Sequence, residues 1–319
     1  MFSFCSSIYR ETVELDVFIR SLICNASDPN MLEIIITNDE GYTSTASILN
    51  RLQDEFPQVK SITISKEDRI SFIKSCIDLY TKDSIFPEPD INIMIDTLSK
   101  YESGEIDRLW FPPARGYNLA AQASIGNILA IIPSDYVCFF DATEVYNRRN
   151  EILNEYGVIA CNFGWIRLSD IPDKLLYNDT IDTLYKNIDA DKRTSLNNML
   201  NIALGMNLPT TSSCQHGSRV VSRNLFDDVG GFDDRWFLRA MYDEIFNTAI
   251  DNHSKIGGGT CRCGCCDKLG LNNVYLGEQK ILKDETISNN YLLPNIYSNI
   301  KESNEYISKY LFTYLNNNK

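Results

Sequence analysis

The chain has 319 residues, 44% of them hydrophobic and 23% charged, a globular composition that excludes collagen-like, coiled-coil and fully disordered chains. Thirty Lys and Arg residues stand against 43 Asp and Glu residues, which gives a formal net charge of -13. A surface this acidic repels phosphate backbones and anionic lipids, so nucleic acids and membranes are disfavoured as partners.

Strand and helix patterns alternate at the start of the chain. Residues 2–5 are typical of a short strand, and the apolar spacing over 13–23 predicts a helix. Residues 33–37 include three consecutive isoleucines, as in a strand buried on both faces. A second helix is expected over 46–56 and a third strand over 59–64. This alternation is typical of a parallel sheet with right-handed crossovers.

The middle of the chain is less regular. Helical patterns over 66–110 are interrupted by Pro87 and Pro89, so we expect an insertion or a lid-like connection there. The apolar spacing over 118–132 predicts a helix, and 136–140 is the most strand-like run in the chain. The remaining expected elements are a strand over 158–166, a helix over 181–204, a strand over 219–221, a turn-rich link over 225–235, and helices over 239–250 and 306–315. The whole succession predicts an α/β fold with a mostly parallel central sheet flanked by helices.

Polar residues follow three of the predicted strands. They lie at 6–10, at Asn38 with Asp39, and at 141–144. In open parallel sheets, ligands bind beyond the carboxyl ends of the strands. Acidic residues at two of these ends and a basic residue at the third suit a sugar nucleotide and a divalent cation. Each aspartate alone is also explained as a turn former or a helix cap, and it is their convergence in one sheet that favours a site.

Four segments, in order, resemble the nucleotide-diphospho-sugar transferases of the GT-A fold, particularly the family 2 type. The segments are 2–10, 35–41, 125–141 and 222–234, the last of which contains Val229-Gly230-Gly231-Phe232-Asp233-Asp234. The Gly-Gly-Phe-Asp run is the most specific of them, and Tyr242-Asp243-Glu244 follows where the family carries Glu-Asp. The resemblance implies a GT-A (Rossmann-like) domain over 1–255 with 66–110 inserted. It further implies a Gly/Cys-rich loop over 256–274 and a helical C-terminal extension over 275–319.

The resemblance implies transfer of a sugar from a nucleotide diphosphate sugar to a hydroxyl of a sugar or glycoconjugate. UDP is favoured because Asp39 suits a pyrimidine edge in this family. The implied donor-binding residues are Ser6, Tyr9, Arg10, Asp39, Asn127, Asp141 and Arg219, with Arg223 as a further basic candidate. Mn²⁺ or Mg²⁺ held by Asp141, Glu144 and His253 would neutralise the leaving diphosphate. Asp243 would act as the base on the acceptor hydroxyl, with inversion of the anomeric centre.

The sequence departs from the family pattern in three places. Asn38 replaces the first aspartate of the base-binding pair, and Thr143 stands where the second metal-binding carboxylate is expected. Tyr242 replaces the glutamate before Asp243. The second of these departures predicts a weakened or absent metal site. It also leaves open a degenerate fold that binds a nucleotide sugar or a partner without catalysis. A sugar nucleotidyltransferase is a further alternative, disfavoured because no Gly-rich basic loop follows the first strand.

The ten cysteines indicate a reducing compartment. Six are scattered singly, several within apolar stretches, which is typical of reduced, buried cysteines. We therefore expect a soluble, cytoplasmic protein, because no apolar run is long enough for a membrane span and no leader is evident. The other four cysteines are Cys261, Cys263, Cys265 and Cys266. They are compatible with Zn²⁺, with strained disulfides or with an unliganded loop, and their spacing is tight for a tetrahedral site.

Overall fold

The computed structural model describes just over half of the chain. The described residues are 1–8, 13–39, 43–83, 88–106, 109, 111–134, 136–138, 140–156, 159–162, 164–167, 219–234, 246, 249–250 and 272–275. Several predicted features lie outside them. These are the helices over 181–204 and 306–315, most of the helix over 239–250, the C-terminal extension beyond Tyr275, Tyr9, Arg10, Asp243, His253 and the cysteines at 261–266.

A six-stranded sheet forms the centre of the structure. Its order is β3-β2-β1-β4-β8-β6, and only β8 runs antiparallel to its neighbours. The strands are β1 (Phe2–Ile8), β2 (Leu32–Asn38), β3 (Val59–Thr63), β4 (Ile128–Ile131), β6 (Ala160–Asn162) and β8 (Arg219–Ser222). All seven residues of β2 are buried, as expected for a strand covered on both faces. The predicted α/β class with a mostly parallel central sheet is confirmed.

Helices cover both faces of this sheet. They are α1 (Val13–Asn25), α2 (Thr43–Glu55), α3 (Lys66–Asp83), α4 (Glu88–Ser103), α5 (Pro113–Ala123), α6 (Ala142–Asn147), α7 (Arg149–Tyr156) and α8 (Arg223–Asp228). One core packs β1 and β2 against α1 and α2, through residues such as Phe4 and Leu22. The other packs Cys5 and Ile35 against α5 and α8. Successive strand residues therefore face opposite cores, which explains the continuous apolar runs of β1 and β2.

The direction of the parallel strands defines two edges of the sheet. We call the ends of the parallel strands the carboxyl edge, which includes Ile8 and Asn38, and their beginnings the amino edge, which includes Phe2 and Leu32. A strand rises about 3.3 Å per residue, so the seven residues of β2 hold the edges about 20 Å apart. Helix α1 returns the chain from the carboxyl edge to the amino edge, where Ser27 and Asp28 precede β2.

The structure corrects three of the predicted elements. The helix expected over 118–132 ends at Ala123, and Ile128–Ile131 is the central strand β4, because Ser124 ends the helix in an extended conformation. The strand expected over 136–140 is β5 (Tyr136–Cys138), which lies outside the central sheet. It pairs with β9 (Asn272–Tyr275), which also pairs with β7 (Gly164–Arg167). The strand expected over 158–166 is therefore two strands, β6 and β7, in different sheets.

The segment over 66–110 consists mainly of helices α3 and α4, which pack against each other. Helix α3 also contacts the carboxyl edge, because the buried Arg69 side chain reaches the end of β2. Strand β9 crosses the predicted boundary between the Gly/Cys-rich loop and the C-terminal extension.

Candidate functional site

Buried polar groups without protein partners gather at the carboxyl edge. Ser6 Oγ in β1, Asn38 Oδ1 at the end of β2 and Ser134 Oγ after β4 are buried, and none of them forms a hydrogen bond within the described part of the chain. Thr45 Oγ1, in the first turn of α2, is in the same state. A buried polar group without a partner destabilises a protein by about 1–3 kcal/mol, so several at one place indicate a position where a ligand supplies the partners.

An ion pair lies among these groups. Asp39 follows β2 directly, and its carboxylate pairs with the guanidinium of Arg69 from α3. The Arg69 side chain is 5% exposed and the Asp39 side chain is 4% exposed. Arg69 also donates to the carbonyl groups of Asp39 (3.3 Å) and Leu109, while its Nε–H has no hydrogen-bond partner among the residues that the structure describes. Asp39 is thus held in place, and one buried donor remains open at the edge.

At the amino edge, by contrast, the buried polar groups around Glu33 form hydrogen bonds with one another. Glu33 accepts hydrogen bonds from Ser3 Oγ (2.8 Å), from the Ile125 N–H (2.8 Å) and from Lys60 Nζ (2.8 Å). The N–H of Gly126 donates to Ser3 Oγ at 2.9 Å. Burial pushes the pKa of Glu33 up, but these hydrogen bonds outweigh it and hold the pKa below its usual range. The two edges therefore differ: one is a closed network, and the other holds open polar groups.

The metal ligands predicted at 141–144 lie at the amino edge. Asp141 is the N-cap of α6, and its Oδ1 accepts from the backbone N–H groups of Ser27 (3.1 Å), Thr143 (2.9 Å) and Glu144 (3.3 Å). Thr143 exchanges hydrogen bonds with the backbone of Asp28. Glu144 is an exposed surface residue near Arg148. Because Ser27 and Asp28 precede β2, Asp141 and Asp39 lie on opposite edges, and the structure does not bring them together.

We expect the Asp141 side chain to stabilise the folded protein. Burial pushes its pKa up, but hydrogen bonds from Ser27, Glu144 and Thr143 outweigh burial and lower the pKa below its usual range. Substituting Asp141→Ala should lower the free energy of unfolding by about 0.5–2 kcal/mol, as for other N-cap residues. A lowered pKa means that the contribution is present above the unfolded value of about 3.9 and is lost as the pH falls further.

Urea unfolding of the wild type and Asp141→Ala at pH 7 and at lower pH checks this prediction. The difference between the two proteins should be largest at pH 7 and should shrink as the pH falls below about 4. An equal difference at every pH would contradict the assigned role of the carboxylate.

The two candidate arginines also lie at opposite edges of the sheet. Arg219 begins β8, pairs in register with Ile131 at the carboxyl edge, and is fully buried. Arg223 lies at the amino edge, where its guanidinium donates to the carbonyl groups of Ala121, Ser124 and Gly126. Arg219 therefore lies at the same edge as the open polar groups, whereas Arg223 is a structural residue that closes the turn between α5 and β4.

Asn127 also lies at the wrong edge for its predicted role. It is exposed, precedes β4, and its carbonyl oxygen accepts a hydrogen bond from the N–H of Arg223.

Of the predicted site residues that the structure describes, only Ser6, Asp39 and Arg219 share the carboxyl edge. Sequence reasoning missed Arg69, Thr45 and Ser134. Ser134 had a usable signal, since it follows an apolar run that also reads as a strand, whereas Arg69 lies in a helix without a recognisable motif.

Helix α5 packs very closely on this edge. A Cβ atom on Gly116 would lie 2.1 Å from Ser7 Oγ and 2.6 Å from Ser7 Cβ. The carbonyl oxygen of Gly116 accepts a hydrogen bond from Thr37 Oγ1 at 2.8 Å. Only glycine allows the helix to approach β1 and β2 this closely, and this contact fixes the ends of the two strands.

Comparison with known proteins yields only remote structural likeness. No family model matches the sequence, and no curated protein is similar to it. Residues 1–349 of S. aureus TarS, solved in complex with UDP-GlcNAc, align at 9% identity and a TM-score of 0.41 over 86% of this chain and 56% of that one. The mannosyltransferase PcManGT from Pyrobaculum calidifontis, in complex with GDP-Man and Mn²⁺, aligns at 14% identity and a TM-score of 0.43. That alignment covers 79% of this chain and 52% of PcManGT, so this chain spans about half the length of such proteins.

Two further findings concern the described residues alone. Among them, no helix is long and apolar enough to cross a lipid bilayer. Within the same part of the chain, no group of three or more His, Cys, Asp or Glu side chains is arranged to hold a metal ion.

Proposed function

We propose that the chain is a glycosyltransferase of the GT-A type that binds a nucleotide diphosphate sugar at the carboxyl edge. The supporting observation is the set of buried, open polar atoms at that edge, on Ser6, Asn38, Thr45 and Ser134. They lie at the ends of β1, β2 and β4 and in the first turn of α2. Ligands of open α/β sheets bind beyond the carboxyl ends of the strands, and a ligand rich in oxygen and nitrogen atoms would satisfy these groups.

The base and ribose belong, in this proposal, near the end of β2. Asp39 and Arg69 present a carboxylate and a guanidinium side by side, and the open Nε–H of Arg69 is a donor for a carbonyl oxygen. Uracil offers two carbonyl oxygens and an N–H group on one edge. We therefore favour UDP as the nucleotide, on the chemistry of this pair together with the resemblance at 35–41.

The diphosphate belongs near β4 and β8. As the sugar leaves, negative charge grows on the outer phosphate, and the buried guanidinium of Arg219 lies at the same edge to neutralise it. Asp141 and Glu144 do not fit a divalent cation at this site, because they lie about 20 Å away at the amino edge. The proposed mechanism therefore assigns them no metal. Asp243 is proposed as the base that takes the proton of the acceptor hydroxyl, which would invert the anomeric centre.

A nucleotide panel tests the proposal directly. Thermal unfolding of the purified protein is measured with UDP, GDP, CDP and ADP, each with Mn²⁺ and with EDTA. A ligand that binds the native state stabilises it by about 2.7 kcal/mol at a concentration 100 times its Kd, so UDP should raise the midpoint by several degrees. A folded protein whose midpoint responds to none of the four would contradict the proposal.

A matched pair of variants locates the effect. Thr45→Val replaces a buried, open hydroxyl by a methyl group, so it should not destabilise the free protein but should reduce the UDP shift. Thr97→Val, in α4, removes a hydroxyl that bonds only within its own helix, to Ile93, and should leave the UDP shift unchanged. Release of UDP from UDP-glucose or UDP-GlcNAc then separates a transferase from a protein that only binds the nucleotide.

A further inference from the structure

Three uncharged polar groups of the carboxyl edge lie on one face of the sheet. Alternate residues of a strand share a face, so Ser6 lies on the face of Phe4 and Asn38 on the face of Ile36. Phe4 and Ile36 belong to the core that packs against α1 and α2. Thr45 lies in the first turn of α2, which covers the same face. We call Ser6, Asn38 and Thr45 the neutral face of the edge; they are 0%, 4% and 0% exposed.

The ion pair of the edge lies on the opposite face of the sheet. Asp39 pairs with Arg69 of α3. Helix α3 lies beside α5, because the Arg115 guanidinium of α5 is 5.5 Å from the centroid of the Phe72 ring of α3. Helix α5 packs on the face of the sheet that α1 and α2 do not cover. The Asp39–Arg69 pair is therefore on the α5 side of the strand ends.

Arg219 shares this second face. It stands two residues before Val221 in β8, and Val221 belongs to the core that packs against α5. We call Asp39, Arg69 and Arg219 the charged face of the edge. The strand ends thus separate two hydroxyls and an amide on one side from a carboxylate and two guanidinium groups on the other.

The chemistry of the neutral face suits hydroxyl groups of a ligand. The buried Asn38 Oδ1 forms no hydrogen bond within the described part of the chain, and an amide oxygen can only accept. Phosphate oxygens are acceptors too, and the neutral face has no cation to stabilise their charge. A ribose hydroxyl both donates and accepts, so it can pair with an amide oxygen and with the hydroxyls of Ser6 and Thr45 alike.

The arrangement of the two faces matches the stereochemistry of a nucleotide. In a β-ribonucleoside, the base and the 5′ carbon project from one face of the ribose ring, and the 2′- and 3′-hydroxyls project from the other. The proposed partners of the base and the diphosphate are Asp39, Arg69 and Arg219, all on the charged face. A ribose between base and diphosphate would therefore turn its hydroxyls toward the neutral face.

The order of the strands places the ribose above β1. The base is proposed at the end of β2 and the diphosphate near β4 and β8, and β1 lies between β2 and β4. Ser6 pairs in register with Ile36, so Asn38 is one strand over and two residues farther along. Strand spacings of about 4.8 Å and a rise of about 3.3 Å per residue put Ser6 and Asn38 about 8 Å apart between Cα atoms. A ribose ring with its two hydroxyls spans a gap of this size.

We propose that Asn38 is a specificity-determining residue that accepts a hydrogen bond from a ribose hydroxyl, so that the site selects ribonucleotides over nucleotides lacking these hydroxyls. This inference rests on the proposed function, in which a nucleotide diphosphate sugar binds at the carboxyl edge. It gives a role to the asparagine that stands in place of the first aspartate of the base-binding pair. An amide offers an acceptor oxygen beside Asp39 without adding a second buried negative charge.

Calorimetric titration of the full chain with UDP and with 2′,3′-dideoxy-UDP tests this selectivity and needs no activity. The wild type should bind UDP about 10- to 100-fold more tightly, because the dideoxy compound leaves the buried Asn38 oxygen without a donor. Kd values for the two compounds within about twofold of each other overturn the role of Asn38 and leave the proposed function standing. A folded wild type that binds neither compound overturns both.

Asn38→Leu assigns the selectivity to this side chain. Leucine has a similar shape but no acceptor, and it leaves no described protein group unpaired, so urea unfolding should show wild-type stability. The preference for UDP over 2′,3′-dideoxy-UDP should shrink about fivefold or more, through weaker binding of UDP. The Kd for the dideoxy compound should stay within about threefold of the wild-type value. A preference equal to that of the wild type in folded Asn38→Leu overturns the proposal.

Two further variants separate the acceptor oxygen from a general effect on the fold. Asn25→Leu makes the same chemical change at the amino edge, where the Asn25 amide donates to the Cys138 carbonyl at 2.6 Å, and it should keep the wild-type preference for UDP. Asn38→Asp retains an acceptor oxygen at the proposed position and should also keep that preference within about threefold. Loss of the preference in Asn25→Leu, or in folded Asn38→Asp, overturns the assignment to the Asn38 oxygen.

Discussion

Replacing Arg69 by methionine should lower the free energy of unfolding by about 3–5 kcal/mol, because it leaves a buried carboxylate without its counter-charge. The carboxylate is that of Asp39, which is 4% exposed and pairs with Arg69 at the end of β2. The same substitution should abolish the UDP-induced rise in the unfolding midpoint, since it removes a donor and displaces Asp39. Urea unfolding and thermal shifts measure the two effects.

Two controls separate stability from binding in this experiment. The double variant Arg69→Met, Asp39→Asn removes both charges and should regain at least half of the lost stability, while UDP binding stays absent. Lys74→Met removes a pair with Glu102 from the exposed side of the same helix, where the side chains are 55% and 38% exposed. It should cost less than about 1 kcal/mol and leave UDP binding intact. Wild-type UDP affinity in the double variant would contradict the assigned site.

Substituting Gly116→Ala is the second variant with a large expected effect. The new Cβ would lie 2.1 Å from Ser7 Oγ and 2.6 Å from Ser7 Cβ, so a side-chain rotation alone cannot relieve the contact. Overpacking of this kind costs about 1–3 kcal/mol, against which the better helix propensity of alanine returns about 1 kcal/mol. Because β1 and α5 must move apart at the carboxyl edge, UDP affinity should fall about tenfold or more, measured by calorimetric titration.

Gly126→Ala is the matched control at the other edge. Its Cβ would lie 2.2 Å from Ser3 Oγ and 2.8 Å from the Met1 carbonyl oxygen, so it creates a comparable clash at the start of β1. It should destabilise the protein to a similar extent and leave UDP affinity within about twofold. Equal losses of UDP affinity in both variants would mean that affinity follows stability and not the carboxyl edge.

Much of the fold was predictable from periodicity. The alternation over the first three strands has the spacing of a parallel sheet, and β2 was recognisable from Ile34, Ile35 and Ile36. The error over 118–132 has a physical cause. Ile128 and Leu129 continue the apolar spacing of α5 on paper, but the helix ends after Ala123 and the chain turns into β4. An apolar stretch of this length fits helix and strand equally well, and only pairing with β1 decides.

The misplaced metal site follows from that error. If β4 is read as helix, the next strand-like run is 136–140, and Asp141 then directly follows the run that is taken as a central strand. The central strand is β4, and the residues after it are Ile132, Pro133, Ser134 and Asp135. Asp141 instead has a structural role that an isolated aspartate often has, since it caps the N-terminus of α6.

Long-range partners were beyond sequence reasoning for a different reason. The Arg69–Asp39 pair joins residues 30 positions apart, and Asn118 reaches Phe232 across 114 positions. Neither contact produces a recognisable pattern in the local sequence. A charged residue in a helix usually faces solvent, and an asparagine in a helix usually makes no long-range contact. The sequence marks Gly231 only as part of the Gly-Gly-Phe-Asp run, and the structure adds that Gly231 lies against Asn118.

The most direct test of the central claim maps where UDP binds. Hydrogen exchange is compared with and without saturating UDP, over peptides that cover the carboxyl edge (residues 6–12, 38–45 and 132–135) and the amino edge (residues 25–31 and 139–148). We predict slower exchange in the carboxyl-edge peptides and no change at the amino edge. Slower exchange at 139–148 with none at 38–45 would contradict the account, since it would return the nucleotide to Asp141.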